Sequence, residues 1–256
     1  MKIIGIIPGR MASSRFPGKP LAKICDIPMI GHVYFRSKMS KALDEVYVAT
    51  CDKEIADYVR SIGGKVIMTK NSHERASDRS AEAMLKIERE TGNKLDIVVM
   101  IQGDEPMVIP EMIDKAIAPI KRDKSILVVN LMSDIIDQNE HEDPNKVKVV
   151  VDEDDFALYF SREPIPSRKK GAKDIRMLKQ VCIIPFRRDF LLKFNQLTPT
   201  PLEITESVDM LRVLEHGMKV KMVFVDFETF CVDTPGDLRF VEEIMRKDRF
   251  LTKYQR

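Results

Sequence analysis

Residues 3–21 read IIGIIPGRMASSRFPGKPL, and this stretch decides the class of fold. The apolar run Ile3, Ile4, Ile6 and Ile7 predicts a strand buried on both faces, as in parallel sheets. It breaks at Pro8-Gly9 into a loop carrying Arg10, Arg15 and Lys19, with Ser13, Ser14 and Gly18 between them. Many α/β proteins hold polyphosphate where a buried strand opens into a small-residue, cationic loop at the carboxyl end of the sheet. Three fixed positive charges suit a triphosphate. A solvated basic loop has the same composition, and charge alone leaves the two readings level.

Outward from this stretch, strand-like and helix-like segments alternate. A helix is expected over about 30–40, a strand over 45–49, a helix over 53–62 closed by Gly63-Gly64, and a strand over 65–68. Ser77 is the expected N-cap of a helix over 78–90, with Asp78 and Glu82 near its positive end. Residues 96–101 (DIVVMI) form another buried strand, and Pro110 opens the next helix. This alternation argues an α/β fold in three layers, a mainly parallel sheet with helices on both faces. The second half differs, with short strands at 146–151, 157–160 and 181–186 between charged loops. Helices over 188–195 and 203–217, a strand over 219–225 and a helix from Pro235 follow. Residues 162–176, rich in Arg, Lys, Pro and Gly, read as a lid or an arm. No linker separates domains, so the expectation is one domain with a smaller mixed β insertion at about 144–186.

With 256 residues, 44% of them hydrophobic, the chain can bury one large core or two modest ones. Its 42 basic and 40 acidic residues leave a net charge of +2. There is thus no general attraction to nucleic acid, and any anion site must be local. No secretory leader or run of 18 apolar residues is visible, so no membrane association is expected. The four cysteines and four histidines show no metal-ligand spacing and fit reduced thiols and packing residues of a cytoplasmic protein.

Two further segments carry chemistry. The strand at 96–101 delivers Gln102, Gly103, Asp104 and Glu105 to the carboxyl edge of the sheet, where ligands of open α/β sheets bind. Gly-Asp-Glu-Pro is also ordinary turn composition. An Asp beside a triphosphate loop is a usual holder of Mg²⁺, which prefers carboxylate and phosphate oxygens. Residues 231–238 read CVDTPGDL. Thr234, Pro235 and Asp237 make a helix start with a capping arrangement, which leaves Asp233 outside the helix with no capping duty.

The string PGRMASSRFPGKPL resembles the P-A-R-x-x-S-x-R-x-P-G-K-P-L signature of sugar-acid cytidylyltransferases, nearest to the 3-deoxy-manno-octulosonate (KDO) group, with Gly9 in place of Ala. QGDEP and VDTPGDL are similar to that family's two metal motifs, and DPNKVKVVVD with ALYFSREPIP (143–166) also matches. The resemblance implies a Rossmann-like nucleotidyltransferase that moves CMP from CTP to a sugar acid with magnesium and releases pyrophosphate. It implies a cytoplasmic enzyme of lipopolysaccharide or surface-polysaccharide biosynthesis, pairing as a dimer through the inserted strands. It places Pro8, Gly9, Arg10, Ser13, Arg15, Lys19, Ser77, Asp78, Arg79 and Gln102 around CTP. Asp104 and Asp233 fall on the metal, with Arg10, Arg15, Lys19 and Asp104 as the catalytic set. Arg162, Gln180, Glu206 and Asp209 fall on the acceptor.

Departures from the family concentrate in two places. HERASDR (73–79) stands where the family has H-x-S-G-T-D-R, in a loop that lies against the cytosine. KQVCIIPFR and LEITESVDMLR put Gln180, Cys182, Phe186 and Asp209-Met210 where the family has His, Gly, Tyr and Glu-Gln. The His and the Glu-Gln pair bind the sugar in the family, and a polar site that loses partners discriminates strongly. The expectation is therefore an acceptor other than plain KDO, drift at core positions being the alternative. A sugar phosphate or polyol phosphate acceptor, and a non-catalytic nucleotide-binding protein, are the competing functions.

Overall fold

The computed structural model describes residues 1–12, 15–169, 171, 175–228 and 230–255. The chain forms two compact units, Met1–Asp114 with Thr229–Arg256, and Lys115–Glu228.

In the first unit β1 (Ile3–Gly9) is followed by the short antiparallel pair β2 (Lys23–Ile24) and β3 (Ile27–Pro28), then α1 (Met29–Ser37). Next come β4 (Glu45–Thr50), α2 (Lys53–Ser61), β5 (Lys65–Met68), α3 (Ala76–Thr91) and β6 (Ile97–Ile101). These four main strands stand in the order β6-β1-β4-β5, each parallel to its neighbour. The parallel α/β class read from the sequence is the class of the structure. Ile3, Ile4, Ile6 and Ile7 are at most 2% exposed, each side chain contributing about 1.5–3 kcal/mol of hydrophobic stabilisation. The order puts β1 between β6 and β4, so the carboxyl ends of β1 and β6 open side by side.

The helix over 76–91 starts one residue earlier than its expected cap. Arg75 precedes it in extended conformation, and Ser77 lies inside the first turn, buried.

The chain enters the second unit along α4 (Pro110–Arg122). There follow β7 (Val129–Asp134), α5 (Gln138–Glu142), β8 (Lys148–Val151), β9 (Ala157–Ser161), β10 (Leu178–Val181) and β11 (Ile183–Arg187). Then come α6 (Arg188–Gln196), α7 (Pro201–Glu206), α8 (Asp209–Glu215) and β12 (Lys221–Phe224). The sheet of this unit runs β12-β7-β10-β8-β9 and is mixed, parallel only between β12 and β7. Two sequence expectations are corrected here. The strand over 181–186 is broken at Cys182 into β10 and β11. The helix over 203–217 is broken at Ser207, whose φ of 52° is left-handed and ends a helical run. After β12 the chain re-enters the first unit, where α9 (Pro235–Met245) closes the fold.

Candidate active site

The carboxyl edge of the first unit's sheet carries the candidate site. Strand β1 ends at Gly9, and the loop after it is stapled at both ends. The Met11 amide donates to Asp52 Oδ2 at 2.8 Å, and the Gly18 amide donates to the Met11 carbonyl at 3.1 Å. Gly18 takes φ 75° and leads into a single turn at Lys19–Leu21, a conformation glycine adopts without strain. The turn after β6 presses against this loop. A Cβ on Gly103 would stand 2.9 Å from the Pro8 carbonyl, so only glycine permits the approach.

This crowding brings Asp104 to the cationic loop. Lys19 Nζ donates to Asp104 Oδ2 at 2.9 Å and to Asp233 Oδ1 at 3.1 Å. Arg15 Nη2 donates to the same Asp233 oxygen at 2.9 Å. Asp233 arrives from the far end of the chain because the Val232 amide donates to the Asp104 carbonyl at 2.9 Å. Behind it, Thr234 and Asp237 make the capping box expected at the start of α9. The Asp233 amide joins the box by donating to Asp237 Oδ2 at 3.0 Å, while its carboxylate faces Arg15 and Lys19. Burial works against the Lys19 ammonium, but Asp104, Cys231 and Asp233 outweigh it and hold its pKa above the ordinary value.

A cleft of ≈ 330 Å³ lies over this edge. Of the residues placed around the nucleotide from sequence, Pro8, Gly9, Arg10, Arg15, Lys19, Arg79 and Gln102 line it, as does Asp104, placed on the metal. Ser77 and Asp78 are not among its lining residues; both sit in the first turn of α3. Ser13 lies outside the described residues. Arg79 is only 3% exposed and is held by the Thr69 hydroxyl and the Lys70 carbonyl.

His73, Glu74 and Arg75, from the 73–79 segment that the resemblance lays against the base, also line the cleft. His73 is paired with Glu82. Burial opposes the Glu82 carboxylate, but the Lys70 amide, Lys86 and His73 outweigh it and lower its pKa to about 2. Sequence reasoning missed Asp52, since nothing local in the sequence links it to the Met11 amide. It also missed Cys231 as a site residue. Its thiol joins one carboxylate oxygen each of Asp104 and Asp233 in a group whose members all lie within 4.8 Å of one another. Burial, with Asp104, Glu105 and Asp233 nearby, pushes that thiol well above its ordinary pKa. Two carboxylates balanced by an ammonium are hard oxygen donors that fit a divalent cation.

The four acceptor residues named from sequence lie in the second unit. Arg162 and Glu206 are locked together there. Glu206 accepts from the Arg162 amide at 2.7 Å, the Ser161 hydroxyl at 2.8 Å and the Tyr159 hydroxyl at 3.3 Å. The Arg162 guanidinium donates to the carbonyls of Glu206, Pro144 and Ser207 at 2.6, 2.8 and 3.3 Å. Burial opposes the Glu206 carboxylate, and these donors outweigh it, lowering its pKa. Gln180 lies half-buried on β10, and Asp209 opens α8. Met210 beside it is a core residue, 1% exposed. Part of the expected lid, residues 170 and 172–174, lies outside the described residues.

The sequence pattern of the cytidylyltransferase family matches residues 4–220. The chain belongs to that family. It is 46% identical to the 3-deoxy-manno-octulosonate cytidylyltransferase of Geobacter metallireducens, over 96% of this chain and 99% of that one. Identity to the mitochondrial 3-deoxy-manno-octulosonate cytidylyltransferase of Arabidopsis thaliana is 41%, over 96% of this chain and 84% of that one. Among solved structures, CMP:2-keto-3-deoxy-manno-octonic acid synthetase complexed with CTP superposes with a TM-score of 0.89. It is 39% identical, and the match covers 96% of this chain and 99% of that one. As a cytidylyltransferase the chain is an enzyme of nucleotidyl transfer, which sets aside the non-catalytic reading.

Proposed function

We propose that this cytidylyltransferase joins CMP from CTP to the anomeric hydroxyl of 3-deoxy-manno-octulosonate, releasing pyrophosphate with Mg²⁺. The observation that carries the reading is the convergence of Arg15, Lys19, Asp104 and Asp233 on one sheet edge, beside a cleft that Arg10 also lines. In the reaction the acceptor oxygen attacks the α-phosphorus in line and the bond to the β-phosphate oxygen breaks. Arg10, Arg15 and Lys19 offset the charge that accumulates on the departing pyrophosphate. Arg15 and Lys19 exchange their carboxylate partners for phosphate oxygens as the nucleotide enters. Asp104 and Asp233, released from those pairs, would hold the metal. Magnesium, when bound there, would supply Lewis-acid stabilisation of phosphate charge. Catalysis is otherwise a matter of position and electrostatics.

For the acceptor, the full-length relatives support the octulosonate itself rather than the different acceptor expected from sequence. The core positions of Phe186 and Met210 support reading those two substitutions as packing changes. Pyrophosphate release with each nucleoside triphosphate, over a panel of sugar acids and sugar phosphates, tests this. CTP with 3-deoxy-manno-octulosonate should be the best pair; preference for a sugar phosphate would contradict the acceptor.

We also propose a homodimer, formed through about 144–186. Leu158, 61% exposed on the edge strand β9, supports this face. Sedimentation should give twice the chain mass, and Leu158→Lys should halve it. A cytoplasmic location completes the proposal. Among the described residues no helix is long and apolar enough to cross a membrane, and the four cysteines are free thiols.

A further inference from the structure

One nucleophilic side chain at the candidate site has no part in the reaction just described. Cys231 sits half-buried beside Asp104 and Asp233, and its Sγ and one oxygen of each carboxylate all lie within 4.8 Å of one another. The spacing is set by backbone, since the Val232 amide is bonded to the Asp104 carbonyl at 2.9 Å. Zinc bonds of about 2.0–2.2 Å to oxygen and about 2.3 Å to sulfur put the donors of a tetrahedral ion about 3.4–3.6 Å apart, roughly an ångström inside the spacing here. Small side-chain rotations therefore bring all three donors to one ion.

The kind of ion follows from the donors. Carboxylates alone select hard cations, and a sulfur among them adds affinity for softer ones. Charge agrees with this. Two carboxylates and a thiolate carry three negative charges against the two positive charges of Lys19 and Arg15, which leaves the cluster negative and open to a cation. Lys19 Nζ, 2.9 and 3.1 Å from the two carboxylates, already marks the space between them as one that accepts positive charge.

We infer that Asp104, Cys231 and Asp233 form a mixed oxygen–sulfur site for a thiophilic divalent cation of the zinc or cadmium class, occupied when nucleotide is absent. The inference rests on the proposed placement of the metal at the two aspartates and adds a third donor to it. The thiol gives its proton to solvent as the sulfur–metal bond forms.

Cadmium chloride titrated into the whole protein without nucleotide tests this through thiolate-to-metal charge-transfer absorption in the ultraviolet. The expected result is a saturable band with one equivalent of Cd²⁺. Cys231→Ser should abolish that band and weaken Cd²⁺ binding by about tenfold or more in calorimetry. Replacing Cys25, Cys51 and Cys182 together by Ser should leave the band in place, and Asp233→Asn should weaken Cd²⁺ binding with all four thiols present. No band in the wild type, or a band unchanged by Cys231→Ser, overturns the inference. Turnover of CTP with Mg²⁺ is measured on the same wild-type preparation. Its absence would sink the proposed function, whereas absence of the band sinks only the third donor.

Discussion

In the first unit Lys19 touches Asp104 and Asp233 while Arg15 touches Asp233, and the two carboxylates keep 28% and 23% of their side-chain surface exposed. In the second unit the Arg162 guanidinium is consumed by three backbone carbonyls, and Glu206 by an amide and two hydroxyls. Glu203 and Arg212 go further, with a two-pronged pair at 2.6 and 2.7 Å between side chains almost fully buried. The residue types are similar, but their environments assign them different work. Charges paired with other side chains at a wet cleft can change partners when a ligand arrives. Charges tied to backbone, or buried against each other, inside a unit cannot, and they hold the fold.

The sharpest way to break this contrast is to neutralise one member on each side. Asp104→Asn should lower turnover by about 10²–10³ and leave the thermal midpoint near that of the wild type. A large drop in the midpoint would make Asp104 a structural residue instead. Glu203→Gln should do the reverse, costing about 3–5 kcal/mol of stability by leaving the Arg212 guanidinium buried and unpaired. Urea unfolding measures it.

A pH titration sharpens the same comparison inside the first unit, away from the cleft. His32 accepts at Nδ1 from the Tyr254 hydroxyl at 2.8 Å and donates from Nε2 to the Ile24 carbonyl at 2.7 Å. The carbonyl can only accept, which fixes the neutral tautomer. Burial is the main cause lowering its pKa to about 4. The unfolded chain therefore binds the proton first, and stability from neutral His32 is full above about pH 6.5 and declines as pH falls towards 4. The shift corresponds to about 3 kcal/mol, and His32→Gln should flatten the pH dependence of urea unfolding across that window. Glu82, with its pKa near 2, should act lower: its contribution is present above about pH 4.5 and fades towards 2. His73→Ala should produce the smallest effect, shrinking that fade by part of the total, because the Lys70 amide and Lys86 still hold Glu82.

The first unit was the more legible in sequence, for a physical reason. Its strands are continuous apolar runs such as IVVMI (97–101), all buried, and its chemistry sits at their ends, where motif and position coincide. Strand β7 of the second unit reads VNLMSD, with Asn130 and Ser133 buried among its apolar residues, so hydrophobic periodicity does not reveal it. The break at Ser207 depends on one left-handed residue, and serine gives no warning of it. The meeting of Asp104 with Asp233 was legible only through the family resemblance. The bond from the Val232 amide to the Asp104 carbonyl joins residues more than a hundred positions apart. Arg162 and Glu206 could be named from motifs, but their commitment to each other is a tertiary fact.

The central claim is that the edge carrying Lys19, Asp104 and Asp233 transfers a cytidylyl group. CTP labelled at the α-phosphorus, incubated with Mg²⁺ and 3-deoxy-manno-octulosonate, tests it most directly. The account predicts label in a CMP–sugar acid product, unlabelled pyrophosphate in equal amount, and about 10²-fold less of both, or lower still, with Asp104→Asn. Label released with pyrophosphate, or equal product from the variant, would contradict it.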